Sequence, residues 1–317
     1  MFGRLMDIER RALVAFRGKR RYEYPRISRP ILSAMDVQDI IRDKLVGDSP
    51  CMIARFGSVE IQAIVDYLYP PSFRNAIKFV KGECPSWGFA PSTVQAMHIN
   101  AGFFPPKRDL LDRFGGLMID CASYVDILGS WRREETEVMS LMPRAVLVPL
   151  YALEPYYFEN PWTTALEGKK VLVVHPFKDS ILRQHERYKK IFSKDSLTPS
   201  YELSVLKAVQ SIAGNKPEAF NDWFEALDWM KQEISRFDFD IAIIGCGAYG
   251  FPLAAHVKSI GKKAVHLGGA VQYLFGIRSS AADENKRLKP LINDYWVYPS
   301  ETERPVNHQA VENSRYW

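Results

Sequence analysis

Asp240-Ile-Ala-Ile-Ile-Gly-Cys-Gly-Ala-Tyr-Gly250 is followed by Phe251-Pro-Leu-Ala-Ala-His-Val-Lys-Ser-Ile-Gly261 and Lys262-Lys-Ala-Val-His-Leu-Gly-Gly269. The fold is decided by how this stretch is read. Ile241 to Ile244 form an apolar, largely β-branched run without alternation, as expected of a strand covered on both faces of a parallel sheet. Gly245, Gly247 and Gly250 follow with G-x-G-x-x-G spacing. Pro252 suits a first helical turn, Leu253, Val257 and Ile260 share one helical face, and Gly261 is placed to end the helix. Ala264 to Leu267 supply a second short strand. The stretch predicts a β-turn-α-β unit. The fold class is therefore α/β: Rossmann-like, with a mostly parallel sheet and helices on both faces.

Such glycines let backbone N–H groups at a helix N-terminus approach an anion. A dinucleotide site also wants an acidic residue about 20 positions on, to hold a ribose hydroxyl. No Asp or Glu occurs between Gly250 and Asp283, and the second strand runs into His266-Leu267-Gly268-Gly269. Two readings remain open. Gly245, Gly247, Tyr249, Gly250, Gly268 and Gly269 line an anion or nucleotide site, or the glycines only allow close packing of strand on helix.

The whole chain sets wider bounds. Its 317 residues are 47% hydrophobic and 13% aromatic, the composition of a folded globular protein. Cys51, Cys84, Cys121 and Cys246 are scattered without a C-x-x-C pair, which suits buried reduced thiols rather than disulfides or a zinc site. No apolar run reaches the roughly 18 residues of a spanning helix, and no secretory signal is evident, so a soluble, cytoplasmic protein is expected. The net charge is +5, and residues 1–29 alone carry nine Lys or Arg against Asp7, Glu9 and Glu23. The organisation read here is a basic N-terminal arm, residues 1–30, and a single α/β domain, residues 31–317. With Leu5, Ile8, Leu13, Val14 and Phe16, the arm suits either an anionic membrane surface or a solvated or partner-packed helix. The near-neutral remainder and the lack of a suitable motif argue against nucleic acid.

Upstream, Asp36 to Gly47 reads as a capped amphipathic helix and Cys51 to Ala54 as a buried strand. Arg55-Phe-Gly-Ser-Val-Glu60 then leads into a helical pattern of Ile61, Ile64, Val65 and Leu68. Strand, glycine turn and helix put polar groups at the carboxyl end of a strand, where open α/β sheets bind ligands. Ser58 is suited to cap that helix, and Glu60 to sit in its first turn.

Residues 55–60 resemble the Arg-Phe-Gly-Asp-x-Glu signature of the GT-D-fold glycosyltransferases. In that family the Asp-x-Glu pair belongs to the site for a sugar nucleotide and its divalent metal. The resemblance implies that Arg55, Gly57 and Ser58 face the donor, with Glu60 as catalytic carboxylate and as ligand of Mn²⁺ or Mg²⁺. Ser58 stands where the family has Asp, a neutral hydroxyl in place of a carboxylate. The implied activity is transfer from a nucleotide sugar, UDP-linked, to a bacterial surface-glycan or lipid-linked acceptor. The Gly-Cys-Gly-Ala-Tyr-Gly and His-Leu-Gly-Gly segments also resemble late segments of GT-D-like sequences. So does the tail, with Trp296, Pro299, Glu301, Pro305, Glu312, Tyr316 and Trp317.

Further candidates lie between these motifs. The Asn100-Ala101-Gly102-Phe103 turn resembles a site-facing segment of the family, or is an ordinary turn. Helix Lys107 to Phe114 and strand Leu117 to Ile119 come next, the strand ended by Asp120 as ligand group or cap. Ala145 to Leu150 is a clear strand. The aromatic connection after it, including Tyr156, Tyr157 and Trp162, suits stacking on a base or sugar, or core filling. Val171 to Val174 form a strand followed by His175, a candidate for acid–base work. The charges of the next helix read most simply as a solvated face; Lys178 and Arg183, nearest its start, are the two suited to meet phosphate. Glu202 to Leu206 reads as a strand and Glu218 to Phe237 as a core helix. Two other functions fit the glycine turn: a Rossmann-type NAD or S-adenosylmethionine enzyme, and a non-catalytic nucleotide-binding protein.

Overall fold

The computed structural model describes residues 11–18 and 21–317, Met35 by its backbone alone. Arg4, Leu5, Ile8, Arg10, Lys19 and Arg20 of the basic arm lie outside the described residues. Among the described residues, seven strands make one sheet: β1 (Cys51–Ala54), β2 (Ile127–Ser130), β3 (Val146–Pro149), β4 (Lys170–His175), β5 (Glu202–Lys207), β6 (Ile241–Ile244) and β7 (Lys263–His266). Their order is β3-β2-β1-β7-β6-β4-β5 and every pairing is parallel. The α/β, Rossmann-like expectation holds.

Strand periodicity divides the interior into two cores. Met52 and Ala54 of β1, with Ala242 and Ile244 of β6, face one; Cys51 and Ile53, with Ile241 and Ile243, face the other. Because both faces are covered, these strands read as continuous apolar runs rather than alternating ones. On the first face lie α2 (Ser58–Leu68), α4 (Pro91–Ile99), α5 (Arg108–Ala122), α7 (Trp223–Ile234) and α8 (Gly250–Ser259). On the second lie α1 (Ala34–Val46), α6 (Lys178–His185), α9 (Val271–Leu274) and the C-terminal residues. The helix α3 (Phe73–Lys81) follows α2.

The connections from neighbouring strands leave in opposite directions. After β1 and β6 the chain turns to the first face, into α2 and α8; after β7, which lies between them, it turns to the second, into α9. Such a reversal opens a crevice at the carboxyl edge of a parallel sheet.

Four local expectations are corrected. Leu117 to Ile119 are not a strand, because α5 runs unbroken from Arg108 to Ala122. Gly115 within it is a contact residue rather than a breaker: a Cβ there would come 2.3 Å from Tyr67 Cγ on α2. Strand β2, with Leu-Gly-Ser in its second half, was not expected. Ser58 does not cap α2; Gly57 is the N-cap residue and Ser58 is already helical. The helix expected from Glu218 starts at Trp223, where the Asp222 carboxylate accepts the N–H groups of Phe224 and Glu225.

Candidate functional site

At the carboxyl ends of β1, β4, β6 and β7 lies a cavity of about 410 Å³. Into it open Arg55 and Gly57 from the turn after β1, Ser58 and Glu60 from the first turn of α2, and Gly245, Gly247 and Tyr249 from the turn after β6. His175, Asn100, Gly268 and Gly269 also line it. Two turns nearly 190 residues apart in sequence, one carrying an acid and one nearly without side chains, share this space.

Arg55 and Glu60 dominate its electrostatics. Glu60 curls back over Gly57, so closely that a Cβ on that glycine would lie 1.7 Å from Glu60 Oε2. Burial raises the Glu60 pKa above the usual carboxylate range, opposed by the Arg55 charge and by the backbone N–H groups of Glu60 and Val59. It keeps an open edge toward the cavity. A carboxylate so placed holds a proton more readily than one in water, which suits general acid or base work. Burial lowers the Arg55 pKa, opposed first by Glu60, then by Tyr316, Glu135 and Glu154. Its guanidinium carbon lies 5.0 Å from the Trp131 ring centre, and Nε is buried without a hydrogen-bond partner. Trp131, which also lines the cavity, is fixed by donating Nε1–H to Phe56 O at 3.0 Å.

Two histidines line the cavity and both are neutral. His175 Nδ1 accepts the Phe177 N–H at 3.0 Å, so its ring proton resides on Nε2. His266 has the opposite tautomer, since its Nδ1–H donates to Ile244 O at 3.2 Å. Burial pushes the pKa of each down to about 3, helped at His266 by the Arg55 charge. This corrects the expectation for His175. It does not titrate near neutral pH, and serves there only as a fixed hydrogen-bonding group.

The glycines divide by role. A Cβ on Gly245 would meet Gly268 O at 2.4 Å, and one on Gly250 would lie 2.2 Å from the His266 ring. Gly250 packs α8 on that ring and does not line the cavity. Gly247 has φ of +58°, a conformation that favours glycine. Two of the turn's N–H groups are already used: Gly245 donates to Val174 O, and Ala248 to Ala101 O. Tyr249 is buried, stacked on Trp223 and hydrogen-bonded to Ser211 Oγ at 2.9 Å.

The remaining wall comes from the C-terminal residues Glu312, Arg315, Tyr316 and Trp317. Arg315 Nε lies 3.6 Å from Glu312 Oε2. The Tyr316 pKa is raised by burial and Glu312, lowered by Arg55 and raised by Glu60. Its backbone O accepts a 3.4 Å hydrogen bond from Gln272 Nε2 on α9. In the sequence, His266, Glu312, Tyr316 and Trp317 carried a resemblance but no position; Arg315, Trp131 and Gln272 carried no site signal.

Other expected ligand groups lie elsewhere. Asp120 is exposed on α5, beside a separate shallow depression that also holds Arg113 and Lys231. Trp162 is fully buried, its Nε1–H donating to Leu153 O at 2.9 Å and its backbone N–H to Gln38 Oε1 at 3.1 Å. It belongs to the second core. Lys178 begins α6 but does not line the cavity, and neither does Arg183. The N–H groups there already meet an anion: Asp179 and Ser180 donate to Glu303 Oε1 at 2.8 and 3.2 Å. Nor do Tyr156 and Tyr157 line it; its aromatic walls are Trp131, Phe177, Tyr249, Tyr316 and Trp317.

For the implied Mn²⁺ or Mg²⁺, Glu60 is the carboxylate at the motif, with the Ser58 hydroxyl two residues before it. Among the described residues no group of three or more His, Cys, Asp or Glu side chains is placed to hold a metal ion. Glu60 and the Ser58 hydroxyl are the motif residues that would hold such an ion, whose charge would help neutralise a diphosphate. No family model, curated protein or solved structure matches the chain.

Proposed function

We propose that the chain is a glycosyltransferase that holds a nucleotide sugar, UDP-linked, in this cavity. The observation that carries the reading is the opening of Glu60, Arg55 and the Gly245–Gly247 turn onto one space at the sheet's carboxyl edge. The volume lies in the range of small-molecule sites, about 300–1,000 Å³. Arg55 and Arg315 are the cations for the diphosphate, in a setting where burial strengthens charge interactions. The turn lets the ligand approach the backbone closely, while its used N–H groups leave most anion recognition to the two arginines. Glu60, with its raised proton affinity, takes the proton from the acceptor hydroxyl. The acceptor oxygen bonds the anomeric carbon, the bond from that carbon to the diphosphate oxygen breaks, and the nucleoside diphosphate leaves with the electron pair. His175 and Asn100 orient the sugar.

The acceptor is a surface glycan or a lipid-linked precursor, reached from the cytoplasmic side with the basic arm, residues 1–29, against the membrane. No helix among the described residues is long and apolar enough to cross a membrane. Isothermal titration with UDP, NAD and S-adenosylmethionine, each with and without Mn²⁺, tests the ligand class. UDP binding is expected, and Glu60→Gln should retain it while losing donor turnover. Binding of NAD or S-adenosylmethionine in place of UDP would overturn the reading. So would full turnover in Glu60→Gln.

A further inference from the structure

Residues 11–17 are helical and pack beside α3. Leu13 and Ala76 lie against a small cluster of Phe79, Cys84 and Trp87, and the Arg17 guanidinium carbon is 4.3 Å from the Phe79 ring centre. With those inner contacts made, both segments turn apolar side chains outward. Phe73 is 83% exposed and Phe16 80%, and Val14 and Ile77 are open as well. Phe73 and Ile77 stand four residues apart and so share one stripe of α3.

Cations accompany these apolar side chains on the same segments. The nine residues of α3 include Arg74, Lys78 and Lys81 and no acid. Arg11 and Arg21 are exposed on the adjoining segment. Of the acids nearby in sequence, Glu83 lies 4.0 Å from Lys81, and Glu23 is exposed. Largely exposed phenylalanines are costly in water unless something covers them, and the Lys and Arg beside them attract an anionic partner and repel a basic one. Aromatic side chains rimmed by cations match an acidic lipid interface, whose headgroups take the charge and whose acyl boundary takes the rings.

We propose that the composite face of α3 and residues 11–17 docks the protein on an anionic membrane surface. Phe73 and Phe16 enter the interface, and Arg74, Lys78 and Lys81 meet the headgroups. This goes beyond a basic arm acting alone, because the described part of the arm is packed onto the body and α3 supplies much of the surface. It concerns a surface separate from the cavity and does not depend on the transferase reading. Since α2 runs from the cavity at Glu60 to Leu68, shortly before α3, its α3 end lies about 12 Å along the helix from the site, at about 1.5 Å per residue.

The test is co-sedimentation of the full chain with phosphatidylcholine vesicles, with and without phosphatidylglycerol. Binding is expected only with the anionic lipid and should weaken as salt is added. Arg74→Gln combined with Lys81→Gln should lower partitioning about thirtyfold, at roughly fivefold for each cation near the surface. Phe73→Trp should bind as the wild type and be quenched by brominated lipid. All three positions are solvent-facing, so circular dichroism is expected to show an unchanged fold. Equal binding to both vesicle types, or anionic binding that the α3 variants leave untouched, would overturn the proposal. A chain that ignores vesicles but self-associates through Phe73, shown by a monomeric Phe73→Ala variant in ultracentrifugation, would overturn it in favour of a second copy.

Discussion

Gly250→Ala puts the geometry of the glycine turn to a test whose sign is decisive. Gly250 has ordinary right-handed helical angles, φ −60° and ψ −43°. On conformational grounds alone, alanine there should stabilise the protein by about 0.5–1 kcal/mol. The added methyl, however, would lie 2.2 Å from His266 Cε1, 2.5 Å from Nδ1 and 3.1 Å from Nε2. Ordinary contact needs about 3.5 Å, so the ring must retreat by more than about 1 Å. It has little room to do so, being 3% exposed and tied to Ile244 O. Overpacking of this kind costs about 1–3 kcal/mol, and losing the hydrogen bond adds about 1 kcal/mol. After the helical gain is subtracted, a net loss of about 2 kcal/mol remains. Urea unfolding followed by tryptophan fluorescence should show a lower midpoint with an unchanged slope. In a His266→Ala background the same substitution should be neutral or stabilising, which isolates the contact as a coupling between the two positions. A midpoint that stays or rises with His266 in place would refute the packing role given to Gly250.

Three further outcomes are expected. His175→Gln keeps an acceptor for the Phe177 N–H but cannot be protonated. In the wild type the unfolded state binds the extra proton between pH 6.5 and about pH 3, so stability from the neutral ring is lost as pH falls through that window. The variant should gain on the wild type by up to about 1.4 kcal/mol per pH unit on acidification, and parallel urea-midpoint curves would contradict this. Trp162→Phe leaves Leu153 O without its donor and should cost about 1–3 kcal/mol, with UDP affinity unchanged by calorimetry. Asp120→Asn should stay within about 0.5 kcal/mol of the wild type in urea and leave the same affinity untouched.

How much was legible depended on where the information lay. β1 and β6 were readable because four consecutive apolar residues between polar punctuation match a short strand covered on both sides of its sheet. β2 was not, since Gly129 and Ser130 look like a turn; Gly129 is there because a Cβ would lie 2.5 Å from Leu153 Cδ1. Helix α5 was cut short at Gly115 and Gly116 for a related reason: a helix-breaking residue was chosen for the closeness of Tyr67, which lies far off in sequence. In the site, Glu60 and the turn after β6 were visible because motif spacing is local. Arg315, Gln272 and Trp131 were not, as each arrives from a segment with no site pattern of its own. Trp162 and Asp120 misled in opposite ways. A tryptophan beside Asn-Pro gives no sign that both its N–H groups have buried acceptors, and an Asp after three apolar residues looks the same at a strand's end as on a helix face.

The wall that joins Arg55 to Tyr316 has a thermodynamic consequence. A molecule seated between them bridges segments that meet only when nearly the whole chain has folded, so the binding site is absent from any partly folded form that frees either one. Its binding energy therefore adds to global stability as RT ln(1 + [L]/Kd), or about 2.7 kcal/mol at a hundredfold excess over Kd. Melting temperature becomes a direct gauge of occupancy, and candidate ligands can be ranked before any turnover has been measured.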